Sequence, residues 1–176
     1  MLLFYERGFR DTSMDDIAAA VGMQPSGLYR HFPGKADILA AAYRRAADRL
    51  SGDVVRVLGR IADPRRALAE LIDSYVTRSL ARPEVAYVYY TERHHLPTSE
   101  LLMLDTIQQS TVDAWARLAT AVRPELSAGR ARYAVHAAYA VTVDLGRLVR
   151  RDSVGFARSA ARRLTEVIML GPRRKG

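Results

Sequence analysis

The 176-residue sequence predicts an all-α chain with two parts: a helical module over residues 1–45 and a helical bundle over residues 46–176. Three observations predict it. Apolar residues recur at three- and four-residue spacing over most of the length, the period of a helix face. Proline, glycine, aspartate and serine interrupt these stripes where helices begin and end. Between Thr12 and Lys35 the string TSMDDIAAAVGMQPSGLYRHFPGK compresses two short helices, a tight turn and the start of a third helix.

Met1 falls inside the first helix, which Gly8-Phe9 closes, so this helix is expected to be short. The second helix starts at Thr12 or Ser13, whose hydroxyl can accept from a first-turn amide. Asp15 and Asp16 then favour the positive end of the helix dipole. Met14, Ile17, Ala18 and Val21 supply its apolar face. Gly22 suits a helix end in the left-handed conformation. The third helix has Gln24 at its cap and Pro25 at its first position. Leu28 and Phe32, four apart, are expected in the core. Gln24, Ser26, Gly27, Tyr29, Arg30 and His31 are left to look outward.

This layout is that of a helix-turn-helix, which sets one helix end in the major groove of DNA. A helix start rich in small and polar residues approaches bases and phosphates closely. Gln24 is the candidate for a bidentate contact to an adenine edge, and Ser26 for a contact to any base. Tyr29, Arg30 and His31 suit phosphates or a thymine methyl. Lys35, at the start of the fourth helix, is free to point at a phosphate.

The string ERGFRDTSMDDIAAAVGMQPSGLYRHFPGKADIL resembles the DNA-binding domain of the TetR family of bacterial repressors. The matching marks are Gly8-Phe9, Thr12, Asp16-Ile17-Ala18, Gly22, Leu28-Tyr29, His31-Phe32 and Lys35. In the family the first helix is usually longer, often after a basic arm, and many members place Thr or Ser where Gly27 stands. The resemblance implies an all-helical homodimer whose variable C-terminal domain binds a small molecule that releases the DNA. It implies DNA contacts from Thr12, Gln24, Ser26, Tyr29, His31 and Lys35, and Pro25, Gly27 and Arg30 beside them complete the candidate DNA-binding residues.

Beyond Lys35 the sequence reads as helices throughout. Ile38, Leu39, Ala42, Tyr43, Ala46, Leu50, Val54 and Val57 make one stripe on a long helix ending near Ile61. Helices follow from Asp63-Pro64 to about Ala81, from Arg82-Pro83 to about Glu92, and from a Thr98 or Ser99 cap to about Val122. The last two are expected at about 128–150 and 153–170, divided near Asp152-Ser153. Between Tyr133 and Val143 nearly every residue is apolar or small, so this helix is expected to be covered on more than one side. With the stripe Ala157, Ala160, Ala161, Leu164, Val167 and Ile168, the last two helices are the candidate homodimer interface. His136, amid apolar neighbours, is expected in the core.

Aromatic and soft apolar residues midway along the bundle are candidates for a ligand site: Tyr75, Tyr87, Tyr90, His94, Met103, Trp115 and Tyr139, with Tyr89 and Tyr133 beside them. A mostly apolar cavity with a few polar groups is what a small-molecule site needs. The adjacent His94 and His95 are not expected to face one way, so no metal site is assigned. No cofactor is implied. No nucleophile motif, metal-ligand cluster or phosphate-cradling glycine loop points to an enzyme.

The formal net charge is +8. Residues 1–50 hold 7 basic and 6 acidic side chains, whereas the last 30 hold 9 and 2. The excess reads as solvated arginines with a disordered PRRKG tail, or as attraction to an anionic partner such as DNA or a phosphate-bearing effector. Zero cysteines exclude disulfides and thiol catalysis and fit the cytoplasm. No run of about 20 apolar residues is present, and Leu2 to Tyr5 is too short for a signal peptide.

Overall fold

The chain is described by a computed structural model over residues 1–148 and 154–172. In order, the helices are α1 (Leu2–Arg7), α2 (Met14–Ala20), α3 (Pro25–Tyr29), α4 (Lys35–Leu58), α5 (Pro64–Ala81) and α6 (Pro83–Glu92). A 3-10 turn at Arg93–His95 leads to α7 (Thr98–Val122), α8 (Ala128–Leu148) and α9 (Val154–Leu170). The expected end of α8 at 150, the break at Asp152-Ser153 and residues 173–176 of the tail lie outside the described residues. No helix among the described residues is long and apolar enough to cross a membrane.

Local chemistry explains the first module. Ser13, not Thr12, caps α2: its hydroxyl accepts from the Asp16 amide at 3.0 Å, and the Asp16 carboxylate accepts from the Ser13 amide at 2.9 Å. This reciprocal pair satisfies two amides that the first turn leaves open. Gly22 adopts φ +69°, the left-handed conformation expected of it. That turn lets the Met23 amide reach back to the Ala18 carbonyl at 2.9 Å. Pro25 starts α3 as expected, with Gln24 as a cap that makes no side-chain bond. Met14, Ala18 and Leu28 form a small core, against which Ile17, Phe32 and Ile38 pack. Val21 departs from the expected apolar face and is exposed.

That small core does not stand alone. A second cluster joins Phe4 of α1 and Leu39, Ala40 and Tyr43 of α4 to Val88, Leu96 and Leu104 of the bundle. The division at residue 45 thus falls within α4 and within a shared core. α4 has 24 residues, about 36 Å of helix, and runs from the first module into the bundle. It stops at Leu58 with Gly59 as its cap, three residues before the expected end. Neither Thr98 nor Ser99 caps α7; Pro97 holds that position.

The largest cluster fills the bundle with side chains of α4, α5, α7, α8 and α9, including Leu71, Ile72, Val112, Trp115, Val135 and Met169. Within the single chain α8 is covered on one side only, and Tyr133, His136, Ala137 and Ala140 are exposed. His136 therefore lies on the surface of the subunit and not in its core. On α9, Ala157 and Ala161 turn inward while Phe156, Leu164 and Val167 face out.

Candidate nucleic-acid interface and buried cavity

α3 and its flanks present a row of unengaged polar side chains. Gln24, Ser26, Tyr29, Arg30 and His31 are all exposed. Pro25 and Gly27 are half-buried beneath them. The α-helix is shorter than the sequence predicts, ending at Tyr29. The turn continues through His31 and Phe32, whose amides each reach the Leu28 carbonyl at 3.0 Å. Phe32 is thereby kept against the small core, and the polar row stays on the opposite side.

Gly27 has an ordinary helical backbone, and a Cβ there would meet only the Met23 Cε at 3.5 Å. Glycine costs roughly 1 kcal/mol relative to alanine inside a helix. Gly27→Ala is therefore expected to stabilise the chain by about 0.5–1 kcal/mol, read as a raised Tm. A lowered Tm would mean that the Met23 side chain cannot give way.

Two residues assigned to DNA from the sequence are committed elsewhere. Thr12 is 1% exposed. Its hydroxyl donates to the Gly8 carbonyl at 2.7 Å, locking the loop after α1. Lys35 places its ammonium among three carbonyls: Phe9 at 2.7 Å, Thr12 at 2.9 Å and Arg10 at 3.0 Å. An ammonium carries three donors, so this set is complete without a phosphate. The same ammonium lies 4.6 Å from the centroid of the Phe9 ring. Lys35 thus pins the α1–α2 loop to the start of α4.

Phe9 links the module to the bundle. Its ring also stacks on an imidazole, His95, with centroids 4.2 Å apart and planes 15° from parallel. His94 and His95 come closer than their adjacency in a helix end predicts, with ring centroids 4.0 Å apart. The 3-10 turn brings them together, and each can offer a nitrogen within 4.8 Å of a Glu92 oxygen. Burial, then the neighbouring His94, lower the pKa of His95 below 6.5. Glu92 opposes that shift at 3.4 Å.

A cavity of about 190 Å³ opens between α4, α5, α6, α7 and α8. Of the expected ligand residues, Tyr75, Tyr90 and Tyr139 line it, as does Tyr89. The others do not. Trp115 stands in the core behind the wall, its ring 6.0 Å from Tyr75 and 5.4 Å from Tyr139. Tyr87 faces α1 instead, edge-on to Tyr5 at 5.1 Å, with the Arg147 guanidinium over its ring. Met103 and His94 are exposed, and Tyr133 is 78% exposed. Sequence reasoning missed Tyr43, Arg49, Arg78, Arg82, Gln108 and Thr111 on the wall. For Tyr43 a signal existed, since it shares the α4 stripe with Ala46 and Leu50. For the arginines there was none, because a charged residue in a helix is read as solvated.

Together these features define a helix-turn-helix module carried on a helical bundle that encloses a small cavity. Residues 1–42 match the bacterial regulatory proteins of the tetR family. That match covers the helix-turn-helix module, from α1 to the start of α4. Over 98 residues it is 32% identical to the HTH-type transcriptional repressor KstR2 of Rhodococcus jostii, covering 56% of this chain and 48% of that protein. Over 73 residues it is 30% identical to the HTH-type transcriptional activator FasR of Mycolicibacterium smegmatis, covering 42% and 33%. The matched stretches thus span less than half the length of these curated relatives. The fold is shared over nearly the whole chain with the TetR-family regulator PfmR of Thermus thermophilus. That structure superposes with a TM-score of 0.79 at 21% identity, covering 98% of this chain and 92% of the other.

Proposed function

We propose that this chain is a sequence-specific DNA-binding transcriptional regulator, a repressor released from its operator by a small hydrophobic or amphipathic ligand. One observation carries the reading: α4 packs Ile38 on the small core beneath α3 and lines the bundle cavity with Tyr43, Ala46, Ala47 and Leu50. A single helix therefore links the α3 core to the cavity. Occupancy of the cavity can shift α4 and α3 together, provided that the ligand prefers the shifted state.

The regulator acts as a homodimer through α8 and α9. Two α3 helices then reach successive major grooves, roughly 34 Å apart, on a near-palindromic site. It works in the cytoplasm by recognition alone, with neither cofactor nor catalysis. Gln24 reads a base, whereas Tyr29, Arg30 and His31 hold the backbone. Gln24→Ala is expected to relax preference at one base position by about 1–3 kcal/mol, measured by competition with single-base operator variants. A uniform loss over all variants would place Gln24 on the backbone.

The testing experiment is selection of the full chain against a random duplex library at two salt concentrations. Enrichment of a near-palindrome with a steep salt slope supports the reading, because phosphate contacts release counterions. Weak and unselective binding at both concentrations overturns it. A reporter placed behind the enriched site then gives the sign of regulation.

A further inference from the structure

Resting on the reading of the bundle cavity as the effector site, we propose that it takes the carboxylate of a small amphipathic acid. Three of the residues that line it each carry a buried polar atom with no hydrogen-bond partner: the hydroxyls of Tyr43 and Tyr139 and Nη1 of Arg78. All three are donors. Buried donors are satisfied in nearly all native structures, so three on the residues lining one cavity mark a place kept for an acceptor. Burial raises the pKa of both tyrosines well above the phenol value, so they keep their protons.

The rest of the wall narrows the occupant. Leu50, Val85, Ala86, Leu104 and Ile107 are apolar. The Gln108 side-chain carbonyl already accepts from the Tyr89 hydroxyl at 2.7 Å. Arg78 is held by its other nitrogen on the Asp53 carboxylate, which fixes the guanidinium beside the cavity. An amine would meet this cation and find few free acceptors. A plain hydrocarbon would leave all three donors dry. A carboxylate brings two oxygens and about four lone-pair sites, and its bonds to a guanidinium are charge-assisted. Arg49, exposed, adds positive field beside the cavity, whereas Arg82 is paired with the Glu84 carboxylate. A cavity of about 190 Å³ lies below the roughly 300–1,000 Å³ of drug-sized sites. The apolar body is therefore a short chain or a single ring.

Trp115, the one tryptophan of the sequence, contacts the wall residues Tyr75 and Tyr139 and reports occupancy without DNA. The full chain is titrated with octanoate, octanol, octylamine and octanoyl-coenzyme A while its fluorescence is followed. Octanoate is expected to bind at least about tenfold more tightly than octanol or octylamine. Tyr139→Phe combined with Tyr43→Phe keeps the packing and is expected to weaken octanoate binding more than octanol binding, and so to shrink that preference. Equal binding of octanoate and octanol overturns the proposal, and so does a preference that both substitutions leave undiminished. Tight octanoyl-coenzyme A binding without any octanoate preference also overturns it, since the charge would then be read at the rim. Octanoate binding that leaves operator affinity unchanged would sink the effector reading and leave the carboxylate site standing.

Discussion

Phe156→Glu combined with Leu164→Glu is expected to yield a folded monomer and to cut affinity for a two-half-site duplex by about 10²–10⁴-fold, the gain that linking two sites provides. The reason lies in what α8 and α9 leave uncovered. Phe156 is 81% exposed, Tyr133 78%, Leu148 70%, Val167 54% and Leu164 48%. Ala137 and Ala140 lie between Tyr133 and Leu148 on the same exposed side of α8. Exposed apolar side chains on the outer sides of two neighbouring helices mark an interaction surface, interrupted here by the exposed Asp144. The inward sides of the same helices are already satisfied by Ala131, Val135, Ala138, Ala157, Ala161 and Met169. Glutamates on the outer side therefore disturb little of the subunit core. In a two-fold dimer they would bring four carboxylates into one apolar seam, at the desolvation cost of unpaired charge. Light scattering reads the mass, and binding to whole and half sites reads the rest. A wild-type chain that is monomeric and binds half and whole sites equally would refute the dimer.

Lys35→Met is expected to cost about 2–3 kcal/mol, because it removes hydrogen bonds from a charged donor to three carbonyls at once. The loop from Gly8 to Thr12 would lose the tie that holds it to α4. Phe9 would lose the cation above its ring, and with it part of the stack on His95. DNA affinity should fall for all sequences alike, through a weakened module. The slope of log affinity against log salt should stay unchanged. A lysine that touches phosphate behaves differently: its loss lowers that slope by about 1 and leaves Tm almost untouched. Measuring both quantities on one variant decides between pin and phosphate contact.

Much of the first module was legible because its causes are local. The Ser13–Asp16 capping pair, the left-handed Gly22 and the Pro25 start each act within a few residues. Helix order along the bundle was legible for the same reason, since apolar period and proline breaks are carried by each segment. The candidate site was legible where residues are outward by default, as for Gln24, Ser26, Tyr29, Arg30 and His31. It failed where a residue type has one common role and took another here. Lys35 looked like a phosphate ligand because lysine at a surface helix start usually is exposed. The carbonyls it binds lie 23 to 26 residues earlier in the chain.

The cavity shows the same division more sharply. That the bundle carries many aromatics was evident, but which of them share a wall was not. Tyr87, Tyr89 and Tyr90 lie on one short helix, and its rotation sends Tyr87 to α1 and the other two to the cavity. Arg78 joins the wall only because Asp53, 25 residues away, neutralises part of its charge. By itself, then, the sequence determined the helices, their caps and turns, and the polar row of α3, since these follow from interactions within one or two turns. The tertiary structure alone decided that Thr12 and Lys35 are fastened inward, which tyrosines and arginines meet in the cavity, and which sides of α8 and α9 stay bare. Burial is a property of the packed whole, and no spacing along the chain encodes it.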